Sequence, residues 1–231
     1  MTQNLDLDLY SSVALTSNNT DLNVYNVSGY TDGYTESNGI IYWTPSSTAN
    51  TINFAGTTVT DWQNSNTAPY SANKTDDTET GHASLGNYYN WTAAIASNDS
   101  STLTSNTLNN IQNNPKNSIC PKGWRLPTIS SDSASTTGST NEFARLNYLY
   151  NNSSTNNDAN MLTAPLYFVR GGNVNPDQKK LNYVGVYGAY WSNTIKDGSN
   201  SYFMDLGNTE FMRPSSNLRR SLGFSVRCLA R

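Results

Sequence analysis

The chain has 231 residues, with 14 Lys and Arg against 17 Asp and Glu and a pI near 5.0, so it lacks the basic balance of a general nucleic-acid binder. Charged residues make up only 13% and Asn, Ser and Thr fill about 90 positions, yet 15 Tyr and 5 Trp are present. That combination excludes the highly charged, aromatic-poor composition of a disordered chain and points to a folded, loop-rich unit whose loops hydrogen-bond to themselves, long enough for one large domain or two small ones with a real core.

Residues 1–75 carry short apolar runs broken by turn residues, "LNVYNVSGY", "GIIYWTP" and "TINFAGTTV", which read as short strands or extended loops. "LGNYYNWTAAIASN" (85–98) is a helix candidate, aromatic and then Ala-rich, with Asn90 or Thr92 as its cap. "STLTSNTLNNIQ" (101–112) is a weaker one. "NSICPKGWRLPT" reads as a strand entering a turn: Pro121 and Pro127 fix φ, Gly123 permits a bend, and Trp124 and Leu126 are anchors. The clearest amphipathic helix spans 139–152, with Phe143, Leu146, Leu149 and Tyr150 on one face and Thr140–Asn141 at its cap. After the polar loop "NNSSTNNDAN", "APLYFVRGG", "GVYGAYWSNT", "SYFMDLG" and "GFSVRCLAR" read as further short strands. No internal repeat or clean linker divides the chain, so residues 1–231 are taken as one domain.

No run of 18 apolar residues exists to span a membrane as a helix. "TQNLDLDL" after Met1 lacks the basic and apolar regions of a signal peptide. The chain is then either cytoplasmic or has its export signal and anchor outside these residues; the composition favours the second.

Two cysteines, Cys120 and Cys228, do not fit CxxC metal or redox spacing. They are either two separate buried thiols or a pair closing a long loop, worth about 4–5 kcal/mol by chain entropy. His82, in the polar stretch "ETGHASLGN", has no nucleophile elbow beside it, and three Cys and His residues in all are too few for zinc. Asn175 and Asp177 in "NPD" and Asn193 in "WSN" faintly resemble the calcium and sugar motifs of calcium-dependent lectins and offer hard oxygen ligands, but Asn-Pro-Asp is also a common turn. "TDDTET" (75–80) reads as a solvated loop. No metal or cofactor is expected.

"MTQNL" (1–5), "GNYYNWTAA" (86–94), "CPKGWRLPT" (120–128), "EFARL" (142–146), "GAYWSNT" (188–194) and "GFSVRC" (223–228) occur in this order. Together they resemble the Fibrobacter succinogenes major paralogous domain, nearly end to end. The resemblance implies an α+β architecture: a C-type lectin-like fold of the formylglycine-generating-enzyme subtype, loop-rich, with short antiparallel strands and two main helices. It also implies that "CPKGWRLPT" leads into the main helix with "GFSVRC" returning beside it, that Cys120 and Cys228 are close enough to bridge, and that Trp124 is core. The ending is similar to the variable proteins of diversity-generating retroelements, in which adenine-specific mutagenic copying rewrites the 3′ coding end, especially AAY codons, and displays altered side chains as a ligand surface. In Val184–Leu222, fixed-looking Gly188, Trp191, Thr194, Leu206 and Pro214, with Gly223 just beyond, alternate with chemically mixed positions. The surface implied comprises Tyr187, Ala189, Tyr190, Phe203, Asp205, Asn208, Glu210, Phe211, Asn217, Leu218, Arg220, Ser221 and Leu222. Its partner would be a protein or glycan on another cell or phage surface, with no nucleic acid, no catalysis and no membrane-embedded part. The alternatives are a structural cell-envelope domain without a dedicated ligand and a fixed calcium-dependent glycan-binding lectin.

Overall fold

The computed structural model describes residues 4–5, 14–15, 34–37, 40–43, 52–54, 57–59, 71–74, 86–95, 118–120, 123–130, 138–151, 160–175, 180–197, 199–207 and 212–230. It is a mixed assembly of short helices and strands, mostly antiparallel. In the first part, β1 (Ala14–Leu15), β4 (Ile52–Phe54) and β5 (Thr57–Val59) form one sheet. A second joins β2 (Tyr34–Ser37), β3 (Ile40–Trp43), β6 (Ser71–Lys74) and β7 (Tyr88–Tyr89). Helix α1 (Trp91–Ala94) follows, capped by Asn90, whose side chain accepts from the Ala93 N–H. Next come β8 (Trp124–Arg125) and the ten-residue helix α2 (Glu142–Asn151). The remainder holds the hairpin of β9 (Asn173–Asn175) with β10 (Lys180–Asn182). Beside it lies an antiparallel sheet of β11 (Gly188–Ile195), β12 (Asn200–Leu206) and β13 (Met212–Arg219). The chain then reaches β14 (Leu229–Ala230), which pairs with β8.

The segment 223–230 is where these pieces meet. Gly223 exchanges two backbone hydrogen bonds with Val174 of β9, each 2.9 Å, and Phe224 exchanges two with Tyr89 of β7, each 2.9 Å. Ser225 donates to Ala189 O (3.0 Å) and accepts from Trp191 N–H (3.1 Å), both on β11. Val226 O accepts from Leu5 N–H at 3.0 Å. Beyond them Leu229 and Ala230 pair with Arg125 and Trp124. A polar backbone can be buried this deeply only because nearly every N–H and C=O finds a partner. Cys228 is joined to Cys120 at a sulfur separation of 2.03 Å, with Cα atoms 5.8 Å apart.

Two tryptophans lock α1 and β7 to β11. The Trp91 indole N–H donates to Ser192 O (2.8 Å), and the Trp191 indole N–H donates to Tyr89 O (2.7 Å). Trp191, Phe203 and Phe224 stack in one aromatic group, with centroids 4.2–6.0 Å apart. The central sheet is covered on both faces. Ala189, Trp191 and Phe203 join the larger core with Leu5, Leu126 and Val226, while Tyr190, Met204 and Leu206 join a second core with Phe143 and Phe168. Alternation along β11 makes this division unavoidable, because successive side chains point to opposite faces.

The "WRLPT" stretch fastens α2. Arg125 grips Glu142 with two hydrogen bonds (2.6 and 2.5 Å), and Glu142 also accepts from the Thr128 N–H at 2.6 Å. Asn141 caps the helix, its side-chain oxygen accepting from Phe143 N–H (3.1 Å) and Ala144 N–H (3.2 Å). Trp124, expected as core, is half-buried against the larger cluster.

Several sequence expectations are revised. The helix buries Phe143, Ala144 and Asn147, but Leu149 and Tyr150 stand 58% and 40% exposed. Their positions lie around the edge of the apolar stripe, where nothing described packs over them. "APLYFVRGG" is not a strand: Tyr167 has φ 47, outside the extended region, and pairing begins only at Gly172. "GFSVRCLAR" is not one strand but single bridges at 223–225 followed by the two-residue strand β14, because its neighbours belong to different sheets. Of the 85–98 helix, 88–89 is strand and 91–94 is helix, so the described residues hold one main helix and one short one. The 101–112 helix and the 22–30 run lie outside the described residues. Among the described residues no helix is long and apolar enough to cross a membrane.

Phe224 is fully buried in the aromatic group. Phe224→Ala should therefore lower the free energy of unfolding by about 3–5 kcal/mol in a urea titration followed by tryptophan fluorescence.

Candidate functional site

Strand register decides which residues of 184–222 can share a surface. Ala189, Asp205 and Arg213 form one cross-strand row; Ile195, Ser201 and Leu218 form another. The rows are six positions apart along β11, roughly 20 Å at the usual strand rise. Most of this segment is thus a sheet rather than loops, with two separate ends.

The thirteen sequence-predicted contact residues divide accordingly. Tyr187 and Asp205 are half-buried at the first end, and Asn217 and Leu218 are exposed at the second. Ala189 is buried at the first end, Tyr190 and Phe203 are buried between the ends, and Arg220, Ser221 and Leu222 are buried after β13. Side chains this enclosed present no area to a ligand; they pack the frame, and the expectation of contact at these six is corrected on that ground. Tyr190 spans the second core, its hydroxyl donating to Val169 O (2.7 Å) and accepting from Val169 N–H (2.9 Å). Arg220 lies over the Trp91 ring at 5.3 Å and donates to Asp197 O at 2.6 Å. Asn208, Glu210 and Phe211, between β12 and β13, lie outside the described residues.

What sequence reasoning missed is the turn 183–187. Val186 N–H and Tyr187 N–H both donate to Tyr183 O, at 3.0 and 3.1 Å. The turn is pinned from below, Gly185 N–H donating to Arg170 O (2.7 Å) and Gly172 N–H to Tyr187 O (2.7 Å). Gly172 is required here: at φ +73, a Cβ would stand 2.1 Å from Asn182 O. The result is a fixed backbone that turns Tyr183, Val184 and Val186 outward, 60%, 37% and 43% exposed. The Tyr183 and Tyr187 rings are 5.4 Å apart, and the Tyr187 hydroxyl accepts from the Asn173 amide. Burial chiefly holds the Tyr187 phenol up at about 12, with the Asp205 charge adding to it and the Asn173 hydrogen bond opposing. The signal in the sequence is "NYVGVYG", an apolar run centred on a glycine where a solvent-facing turn would otherwise be polar.

The other end is built differently. Asp197 accepts from Ser199 N–H and Asn200 N–H, both 2.9 Å, and from the Asn200 amide. The Asn200 side chain first, and the Ser199 backbone next, hold the Asp197 carboxyl below its usual range. This is a polar turn closed on itself.

Asn175 is half-buried on β9, Asn193 is buried on β11, and Asp177, His82 and residues 75–80 lie outside the described residues. Among the described residues no three His, Cys, Asp or Glu gather to hold a metal. No protein-family model, no curated protein and no solved structure matches the chain.

Gly172→Ala should cost about 1–3 kcal/mol in urea unfolding, through strain at a left-handed position and the clash with Asn182 O. Tyr187 ionises ordinarily near 10 and in the fold near 12. Its contribution to stability is fully present below pH 10 and is lost as pH rises toward 12, so unfolding midpoints should fall across that window and fall less in Tyr187→Phe.

Proposed function

We propose that the chain is a non-catalytic ligand-binding domain of adhesin or receptor type, displayed outside the cell or at its surface. We further propose that it has a C-type lectin-like fold of the formylglycine-generating-enzyme subtype and is the variable protein of a diversity-generating retroelement. The observation that carries this reading is the pinned turn with Tyr183, Val184 and Val186 turned outward beside Tyr187 and Asp205. Apolar side chains on a preorganised backbone give contact area at low entropic cost. The lectin-like reading is supported by the parts the six ordered motifs take: Asn4 and Leu5 bond to Arg227 and Val226, the 88–91 and 188–191 stretches flank 223–226, and "CPKGWRLPT" joins β14 and α2.

The ligand surface on this reading is the end that carries 183–187 and Asp205; Asn208, Glu210 and Phe211, which belong to the same proposed set, lie outside the described residues. Asn217 and Leu218 stand at the far end, outside it. The partner is a protein or glycan on another cell or phage surface. Absence of catalysis is supported by the two cysteines, which are paired and buried rather than free and exposed. The same pairing suits an oxidising compartment outside the cytoplasm. A second reading, a structural cell-envelope domain without a dedicated ligand, is favoured by the burial of Tyr190, Phe203 and Leu222.

Sequencing the DNA around the gene separates the two. The binding reading expects a near-copy of the codons for roughly 180–231 beside a reverse-transcriptase frame, with mismatches confined to template adenines and falling on exposed positions. No copy, or mismatches spread over all bases, leaves a fixed lectin-like or a structural domain.

A further inference from the structure

We infer that the Cys120–Cys228 bond is a latch closed to reductants in the folded chain, opened only when the 223–230 segment lifts from its neighbours. The inference rests on where the sulfurs sit. Cys120 is 2% exposed and Cys228 0%, and both belong to the larger core with Ile119, Leu126 and Val226, themselves 5%, 0% and 0% exposed. Thiol–disulfide exchange needs a thiolate to approach one sulfur directly, so access governs the rate. Here access is blocked by a segment that bonds to β7, β9, β11 and Leu5 before it reaches Cys228, and that pairs with β8 just after it. Freeing Cys228 therefore means breaking several of those bonds together, a sub-global opening rather than a fraying end.

The latch has a second consequence. Oxidation, in which the two thiols lose two protons and two electrons and form one S–S bond, faces the same barrier. It occurs in the open chain, by exchange with a disulfide-bearing oxidant that leaves as its dithiol. Once 223–230 docks, reagents of that class no longer reach the bond, and the fold keeps its cross-link in surroundings whose thiols would reduce an exposed one.

The test is the rate of reduction of the intact chain by dithiothreitol, with samples alkylated over time and weighed by mass spectrometry. The expected result is reduction at least about a hundredfold slower than in the guanidinium-unfolded chain, accelerating steeply with urea below the unfolding midpoint. Phe224→Ala, which loosens the segment away from the sulfurs, should speed reduction at least about tenfold, whereas Leu149→Ser on the exposed side of α2 should leave it unchanged. If Phe224→Ala does not fold, the urea series on the unaltered chain carries the same reading. Reduction within about threefold of the unfolded rate and indifferent to urea would overturn the proposal. So would Phe224→Ala folding normally without any acceleration, or two thiols open to alkylation before reductant is added.

Discussion

The peptide groups of Gly223, Phe224 and Ser225 bond in turn to β9, β7 and β11, three strands from distant parts of the sequence. Everything else in the frame depends on that sharing. β7 and β11 meet because Phe224 and Ser225 lie between them, and the Tyr89 carbonyl is then placed to accept both the Phe224 N–H and the Trp191 indole. The aromatic rings of Trp191, Phe203 and Phe224 close over the same line. Backbone satisfaction and apolar burial thus favour one arrangement, which is the consistency that gives a sequence a single fold.

Arg227 extends the point to charge. It is 3% exposed; it donates to Asn4 Oδ1 at 3.0 Å and to the carbonyls of Leu166 and Tyr167, and it covers the Phe168 ring at 4.1 Å. A buried cation is tolerable only when its donors are met by oriented acceptors. Burial still pulls the Arg227 pKa down from its ordinary value. The residue therefore binds 4–5 and 166–168 to the second core, and both of these segments are irregular backbone that no strand ladder would hold. A frame fastened in this way leaves little freedom to the strands. The turn 183–187, where β11 begins, is fixed from below by its bonds to 170–172.

Local chemistry was readable in the sequence where it acts over a few residues. Asn141 before an apolar period announced α2, Asn90 announced the cap of α1, and the strands at 188–195 and 200–206 followed from apolar runs bounded by turn residues. Features set by distant partners were not. Leu149 and Tyr150 fit the helical stripe but meet nothing that covers them, and β13, "MRPSSNLR", has a polar edge-strand composition with a proline that reads as a loop. The same limit shaped the site. Tyr190 and Phe203 have the chemistry of contact residues, and only register, which places Tyr190 on one core and Phe203 on the other, removes them from the surface. Tyr183 was passed over because its exposure comes from Gly172, eleven positions earlier, letting the turn settle onto 170–172.

Hydrogen–deuterium exchange on the intact, oxidised chain tests the central claim most directly, because it reads the opening energy of each amide separately. If 223–226 is the piece on which the frame depends, the Phe224 and Ser225 amides should exchange only by global unfolding, with the same free energy and urea dependence as the Trp191 amide. Exchange of Phe224 and Ser225 at a markedly lower free energy, while Trp191 stays protected, would mean that the strands hold together without the segment, and the account would be wrong.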